Sequence, residues 1–229
     1  MRTFVLGDIH GAHRALVQCF ERSQFDYEND HLIVLGDVCD GWPQVRESID
    51  ELLKVRHLQY VLGNHDVWAL EWIRSRVIEE MWLSQGGKNT LLSYQNHPPP
   101  PEHIELLENS KPWIEQQNKL FVHGGFDPEK PIAEQPLKKL VWDRDLIRHA
   151  AKQSLWDSKY RYSSYSEIFL GHTPTLMFGV DVPLQLCNVW ALDTGAGWSG
   201  KLTIMDIDSK QYWQSDSVSQ LYPHATGRG

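Results

Sequence analysis

Six polar side chains lie at the ends of short apolar runs, and each of them is adjacent to a glycine. They are Asp8, His10, Asp37, Asn64, His123 and His172. Carboxylate, imidazole and amide groups together suit divalent cations such as manganese, iron or zinc. Buried carboxylates without a compensating charge are costly, so a cluster of this composition needs a shared cation. The residue types therefore predict a metal site, provided that the fold brings the six together.

Single members of this set have simpler explanations. A histidine at the end of a strand is more often a hydrogen-bonded structural residue, and an aspartate before a helix is more often an N-cap, which is the simpler interpretation of Asp66. The Asp-x-His spacing predicts that Asp8 and His10 point to the same side of an extended segment.

The polar residues of the first half follow a repeated pattern of strand, tight turn and helix. Apolar runs at 3–6, 31–35 and 58–62 each lead into a polar turn that contains glycine, and stretches with helical spacing separate the runs. Short strands that alternate with helices indicate a parallel sheet. Because ligand-binding loops gather at the carboxyl ends of such strands, we expect the three turns to meet in space.

The second half is richer in strands and predicts a second sheet. Strands are expected within 119–125, 167–173, 188–195, 200–208 and 211–215, the last two forming a hairpin that turns near Ser209 and Lys210. The sum is an α/β fold of two packed mixed β-sheets flanked by helices.

The remaining segments complete a single domain that spans residues 1–229. Residues 66–118 are interpreted as a helical insertion at the rim of the site, with a helix from Val67 to Trp82 and a break at Gly86 and Gly87. Residues 216–229 are expected to form a frayed tail.

Composition and charge exclude several classes of function. The hydrophobic content of 41% allows a real core, and the formal net charge of −8 disfavours nucleic acid and anionic membrane surfaces as partners. No apolar run reaches the ~18 residues of a transmembrane helix, and the first residues do not resemble a signal peptide. Three scattered cysteines suit a reducing compartment, so a cytoplasmic location is expected.

Five motifs carry a family resemblance. In chain order they are GDIHG at 7–11, GDVCDG at 36–41, GNHD at 63–66, HGG at 123–125 and GHT at 171–173. With these motifs the chain resembles the calcineurin-like metallophosphoesterase superfamily from Gly7 to about Asp206, which implies a four-layer α-β-β-α sandwich. FVHGGFDPEKPIAEQ, VWDRD and LDTGAGWSGKLTIMD are similar in particular to the bacterial branch of serine/threonine protein phosphatases and symmetrical diadenosine tetraphosphatases.

The resemblance implies a binuclear metal centre. Its ligands would be Asp8, His10, Asp37, Asn64, His123 and His172. Asp8 and His10 would hold the first ion, Asp37 would bridge the two ions, and the other three residues would complete the second. Two ions about 3.5–4 Å apart can clamp a phosphate and lower the pKa of a bound water, so that a metal-activated hydroxide attacks phosphorus.

The resemblance also implies roles in proton transfer and phosphate binding. His65 would be the general acid at the leaving group, and Asp40 would orient it and keep it protonated. Asn64, His65 and Arg144 would contact the substrate, with Arg144 gripping phosphate. The alternative for Arg144 is an ion pair with one of the aspartates beside it on a surface turn.

Two positions depart from the protein phosphatases. The second motif has Gly41 where they carry a phosphate-binding arginine, and the third ends in Asp66 where they have glutamate. Trp42 beside the site could stack on a nucleobase, although a packed rim tryptophan is the favoured interpretation. The segment 82–118 is expected to govern substrate access.

Three functions remain open from sequence. The first is hydrolysis of phosphate monoesters, including phosphoserine or phosphothreonine, with two divalent ions, manganese before iron, zinc or nickel. The second is symmetrical hydrolysis of dinucleoside polyphosphates, and the third is a non-enzymatic partner-binding module on the same fold. The partner would accordingly be a phosphorylated small molecule, a phosphoprotein or a dinucleoside polyphosphate.

Overall fold

The computed structural model describes residues 1–228. Within that part of the chain the strands are β1 (Thr3–Leu6), β2 (His31–Val34), β3 (His57–Tyr60), β4 (Ile114–Gln116), β5 (Lys119–Val122), β6 (Glu167–Leu170), β7 (Leu184–Leu186), β8 (Val189–Ala191), β9 (Thr203–Asp206) and β10 (Tyr212–Gln214). The α-helices are α1 (His13–Ser23), α2 (Val45–Leu52), α3 (Asn64–Ser75), α4 (Glu80–Trp82), α5 (Lys88–Ser93), α6 (Pro101–Glu108), α7 (Leu137–Trp142), α8 (Asp145–Ser154) and α9 (Val218–Leu221). No helix in the described part is long and apolar enough to cross a membrane.

The strands form two mixed sheets with matching organisation. The first has the order β10-β9-β1-β2-β3, and the second has the order β4-β5-β6-β8-β7. In each sheet three strands are parallel, β1–β2–β3 in one and β5–β6–β8 in the other, and the remaining strands pair antiparallel at the edges. The carboxyl ends of the parallel strands are therefore the edges at which loops can build a site.

Alternating side chains divide the core into layers. In β1, Phe4 and Leu6 pack in a cluster with the buried face of α1, while Val5 packs in another cluster with residues of the second sheet. Phe121 and Phe169 stack within this inter-sheet cluster, with ring centroids 4.9 Å apart. Residues of α7 and α8 cover the other face of the second sheet. The predicted fold of two packed mixed sheets, with helices outside in an α-β-β-α sandwich, is confirmed.

The strand predictions were more accurate than the helix predictions. All the predicted strands are present, and β9 and β10 form the predicted hairpin. The helix expected from Val67 to Trp82 is wrong in extent, because α3 ends at Ser75 and Arg76 takes a left-handed conformation, φ 60°. Gly86 and Gly87 lie in a kinked π-turn that leads into α5, so they join two helical segments.

The expectation of a frayed tail at 216–229 is wrong for the described part, residues 216–228. Val218, Tyr222 and Arg228 are buried, and Tyr222 stacks on Trp42 with centroids 5.3 Å apart. The short strands β4 and β7 were not predicted, since three residues give too little pattern. The single domain with its rim insertion at 66–118 stays a prediction.

Candidate active site

The predicted polar residues meet between the two sheets. Asp8 and His10 follow β1, Asp37 follows β2, His123 follows β5, and His172 follows β6. Asn64 and His65 open helix α3 directly after the turn that ends β3. The side chains that meet here are at most 2% exposed, and they are Asp8, His10, Asp37, Asp40, Asn64, His65, His123 and His172.

Asp37 lies at the centre of this cluster. Its Oδ2 is 3.6 Å from Nε2 of His10 and 3.3 Å from Nε2 of His123. Its Oδ1 accepts a hydrogen bond of 2.9 Å from the backbone N–H of His65. Two groups of potential ligand atoms share this aspartate, one with His10 and His65 and one with His123 and His172.

Backbone carbonyls orient two of the imidazoles. Nδ1 of His10 donates to the carbonyl of Cys39 at 3.0 Å, and Nδ1 of His123 donates to the carbonyl of Leu35 at 2.7 Å. A carbonyl oxygen only accepts, so each Nδ1 carries the proton and each Nε2 faces the cluster. This is the hydrogen-bonding arrangement typical of histidines that bind metals.

The donor set fits divalent cations. Nε2 of His123 lies 3.0 Å from Oδ1 of Asn64, so a proton or a cation has to lie between these two atoms. Burial and the neighbouring Asp193 raise the pKa of Asp8 well above its usual value, because the carboxylates repel one another. Both ring nitrogens of the buried His172 and Oδ2 of Asp37 have no hydrogen-bond partner among residues 1–228. A cation would satisfy all three features.

Several site residues have a left-handed backbone conformation. The φ angles are 49° at His10, 53° at Asp37, 69° at Asp40 and 63° at His172. Each such residue costs about 1–3 kcal/mol, and strain of this kind concentrates at functional sites. The extended segment predicted for Asp8 to His10 is therefore wrong at His10, although Nε2 of His10 still lies 4.0 Å from Oδ2 of Asp8.

Asp40 and His65 form a buried pair beside the cluster. Nδ1 of His65 lies 2.6 Å from Oδ2 of Asp40, and Nε2 of His65 has no partner among the described residues. Asp40 also accepts hydrogen bonds from Nε1 of Trp82 at 2.9 Å and from Oγ1 of Thr90 at 2.6 Å. Sequence reasoning missed Trp82 and Thr90, which lie 42 and 50 positions from Asp40 and belong to no motif.

Asp66 has a structural role, but the N-cap interpretation is wrong, because Gly63 is the N-cap of α3 and Asp66 is the third residue of the helix. Its carboxylate accepts hydrogen bonds from the backbone N–H of Gly63 at 3.1 Å and of Asp37 at 2.8 Å, and from the hydroxyl of Tyr60 at 2.9 Å. It thus satisfies the backbone N–H of the N-cap residue and ties the turn after β2 to the turn after β3.

Arg144 faces the cluster. Its Nη2 is 3.5 Å from the carbonyl of His172, whereas Asp143 pairs with Lys139 at 2.5 Å and Asp145 lies 4.0 Å from Arg148. The alternative of an ion pair with a neighbouring aspartate is therefore wrong. Its predicted contact with phosphate stays a prediction.

Trp42 is unavailable for stacking on a nucleobase. It is 2% exposed, and its Nε1 donates to the carbonyl of Ala196 at 2.7 Å. The favoured interpretation, a packed tryptophan, is confirmed.

Sequence reasoning missed Asp193 and Arg228. Asp193 follows β8 in ALDTG, so the signature of an apolar run, a polar residue and a nearby glycine was present but was not used. Arg228 places its Nη1 3.4 Å from Nε2 of His10, across 218 positions of sequence. No local pattern could have indicated that contact.

The pKa of Asp193 gives a test of the electrostatics of the metal-free site. Burial raises this pKa to about 6, so the folded state holds a proton that the unfolded chain releases near pH 3.9. The resulting stability is present below pH 3.9 and is lost as pH rises through 6. In chelator, Asp193→Asn should therefore become more stable relative to the parent between pH 4 and 6.5, by on the order of 3 kcal/mol.

Thermal or urea unfolding across this pH range would measure the difference. Asn keeps the oxygen that accepts the 2.9 Å hydrogen bond from the N–H of Gly195, so the change is mainly one of charge. Asp145→Asn, at a side chain that is 84% exposed, is the matched control and should show no such trend. A pH-independent difference for Asp193→Asn would contradict the expectation.

The fold and the site define a class of protein. Two mixed sheets in an α-β-β-α sandwich, with buried aspartates and histidines at the strand ends, are features of metal-dependent phosphoesterases. The model of the family described as calcineurin-like phosphoesterase matches residues 1–198, and the chain belongs to this family. The resemblance inferred from its motifs is confirmed, and the protein is a metal-dependent hydrolase of the phosphatase type.

Relatives cover nearly the whole chain. It is 26% identical to serine/threonine-protein phosphatase 1 of Salmonella typhimurium, over 89% of this chain and 91% of that protein. It is also 26% identical to the symmetrical bis(5'-nucleosyl)-tetraphosphatase of Pseudomonas fluorescens, over 96% of each chain. Among solved structures, a proposed diadenosine tetraphosphatase matches 94% of the chain with a TM-score of 0.70 and 17% identity, which supports the fold.

Proposed function

We propose that the protein hydrolyses phosphate monoesters, including phosphoserine or phosphothreonine, with two divalent metal ions of which manganese is preferred. The observation that carries this proposal is the shared aspartate: Nε2 of His10 and Nε2 of His123 approach Oδ2 of Asp37 at 3.6 and 3.3 Å. A carboxylate between two sets of nitrogen and oxygen donors is suited to bridging two cations. When bound, two such ions neutralise phosphate charge and supply an activated nucleophile.

Two overlapping sets of side chains would hold the two ions. Asp8, His10 and Asp37 would hold one ion, and Asp37, Asn64, His123 and His172 the other. The N–H donors that fix these ligands come from the fold itself, such as the backbone N–H of His172, 2.9 Å from Oδ2 of Asp8.

His65 would donate a proton from Nε2 to the departing oxygen. Asp40 would hold the ring in place by accepting a hydrogen bond from Nδ1, since the pair is buried and 2.6 Å apart. Asn64 and Arg144 would complete the contacts with the substrate. A non-enzymatic module is disfavoured, because the complete donor set and the Asp40–His65 pair are both present.

A pocket beside the site favours dinucleoside polyphosphates as a second candidate substrate. It has a volume of about 380 Å³, and its lining comprises Arg144, Pro174, Leu176, Met177, Trp198 and Arg228. Trp198 is 42% exposed and Met177 59% exposed, so an aromatic base could stack on an apolar surface next to two guanidinium groups. Trp198 thus offers an exposed aromatic ring for stacking, which the buried Trp42 does not.

A substrate panel tests the proposal and separates the two substrates. Phosphoserine peptide, p-nitrophenyl phosphate and diadenosine tetraphosphate would be assayed with manganese, nickel, zinc and magnesium. We expect turnover of monoesters that is highest with manganese and abolished by chelator. Full turnover in excess chelator would contradict the proposal.

Trp198→Ala supplies the substrate-specific comparison within this panel. If the second candidate is correct, this change should raise KM for diadenosine tetraphosphate roughly 10-fold more than it raises KM for phosphoserine peptide. Trp156→Ala, at an 88% exposed tryptophan outside the pocket, is the matched control. Equal effects on both substrates would exclude base stacking on Trp198.

We further propose a cytoplasmic location and a phosphorylated small molecule or phosphoprotein as the natural partner. All three cysteines are free and buried, which suits a reducing compartment. The net charge of −8 disfavours nucleic acid and anionic membranes as ligands.

A further inference from the structure

The segment from Thr226 to Arg228 is docked against the rim of the site. The backbone N–H of Arg228 donates to the carbonyl of Gly197 at 2.9 Å, and Nδ2 of Asn89 donates to the carbonyl of Thr226 at 3.4 Å. A Cβ at Gly227 would lie 2.6 Å from the carbonyl oxygen of Gly197. The segment therefore fits closely and fixes where the side chain of Arg228 begins.

The side chain of Arg228 runs through a channel formed by glycines. A Cβ at Gly41 or at Gly86 would lie 3.4 Å from Cγ of Arg228, and one at Gly197 would lie 3.0 Å from Cδ. Gly41 has φ +84°, and a Cβ there would be 2.9 Å from Cβ of His10. A side chain at position 41 would therefore collide first with His10, and Arg228 packs beside Gly41 at ordinary contact distance.

The channel directs the guanidinium of Arg228 into the site. Nη1 lies 3.4 Å from Nε2 of His10, Nη2 lies 3.3 Å from Oε1 of Gln85, and Cζ lies 5.1 Å from the ring centroid of Trp198. Arg228 is only 8% exposed. A cation held this firmly beside a predicted metal ligand needs a negative partner.

Within residues 1–228, the charge of Asp193 acts on both guanidinium groups, but no carboxylate pairs directly with either of them. Neither Arg228 nor Arg144 forms a salt bridge with another residue in 1–228, and the buried Nε of each has no hydrogen-bond partner in this range. Both guanidinium groups line the same pocket, and the charge of Arg228 is one cause, after burial, of the lowered pKa of Arg144. Two like charges at one pocket would be stabilised by an anion with several oxygens.

We propose that Arg228 is a phosphate-binding residue of this site, forming with Arg144 a pair of guanidinium groups that grip the phosphate of the substrate. The inference rests on the proposed phosphoesterase function and deepens it. It assigns to the segment 226–228 a direct part in substrate binding, with the glycine channel as the element that positions the cation.

Calorimetric titration of inorganic phosphate into the manganese-loaded protein tests the inference without relying on turnover. Arg228→Met keeps an aliphatic chain in the channel and removes the guanidinium, so phosphate affinity should fall roughly 10- to 100-fold. Arg228→Lys keeps a charge without the planar fork and should also weaken binding, but by less. Elemental analysis should find the same metal content in the parent and both variants.

The controls separate the guanidinium from net charge and from docking. Arg148→Ala removes a half-exposed charge from α8 and should bind phosphate like the parent. Gly227→Ala leaves Arg228 intact but displaces the segment that carries it, so phosphate binding should weaken. Unchanged phosphate affinity in Arg228→Met would overturn the inference. If the metal content of that variant also rose, the guanidinium of Arg228 would be occupying a cation position in the parent.

Failure of the proposed function would be recognised separately. A parent protein that binds neither manganese nor phosphate would overturn both the function and the role of Arg228. A parent that binds both, with Arg228→Met equal to it, would overturn the role of Arg228 alone.

Discussion

Asp37→Asn should release bound metal and lower turnover by on the order of 10³-fold. Asparagine keeps Oδ1, which accepts the 2.9 Å hydrogen bond from the N–H of His65, so the turn after β2 can retain its shape. The change removes the negative charge that both ligand groups share. A 10³-fold loss of turnover corresponds to about 4 kcal/mol of lost transition-state stabilisation.

The histidines around Asp37 keep its carboxyl group ionised. Burial by itself would raise the pKa of this carboxyl, but the charges of His123 and His65 outweigh it and hold the pKa well below its usual value. The side chain is therefore ionised at neutral pH, and its Oδ2 is free to bind a cation.

Elemental analysis and steady-state kinetics on the parent and the variant would measure both effects. We expect two metal ions for each parent chain and fewer in Asp37→Asn, with parent activity lost in chelator and restored by manganese. Asp145→Asn serves as the control for a surface carboxylate. A variant that retains two ions and full turnover would exclude Asp37 as the bridging ligand.

The sequence was informative where chemistry and local pattern coincide. Asp8, Asp37 and His123 each end an apolar run next to a glycine, and the parallel sheets bring such strand ends together for a general physical reason. Asp193 has nearly the same signature after β8, so its place beside Asp8 was within reach of the same reasoning.

Contacts over long sequence separations could not be predicted in this way. The hydrogen bonds of Trp82 and Thr90 to Asp40 depend on how the segment after α3 folds back against the turn after β2. Arg76 ends α3 in a left-handed conformation without a glycine to indicate it. Arg228 lies in a short segment of small and polar residues whose docking depends on Gly197 and Asn89.

His65→Ala should lower kcat by roughly 10²- to 10⁴-fold while the metal ions stay bound. Nε2 of His65 is buried, has no partner in residues 1–228, and belongs to a ring that Asp40 holds through Nδ1 at 2.6 Å. An imidazole in this position can protonate an alkoxide as it leaves. The loss should be large for phosphoserine peptide and smaller for p-nitrophenyl phosphate, because p-nitrophenolate needs little help from a proton.

Asp40→Asn tests the same pair from the other side. Asparagine can still accept from Nδ1 of His65 but removes the negative charge 2.6 Å from the ring, so kcat should fall by about 10- to 100-fold. His97→Ala, at an exposed histidine of the loop after α5, is the matched control and should leave kcat unchanged.

Metal content distinguishes the acid role of His65 from a ligand role. Its ring nitrogen lies within 4.8 Å of ligand atoms of His10 and Asp37, so geometry permits either role. If His65 is the general acid, His65→Ala should keep the metal content of the parent, and its loss of kcat should depend on the leaving group. If His65 is a metal ligand, the variant should contain less metal and lose the same factor in kcat on both substrates. That result would exclude His65 from the proton-transfer step.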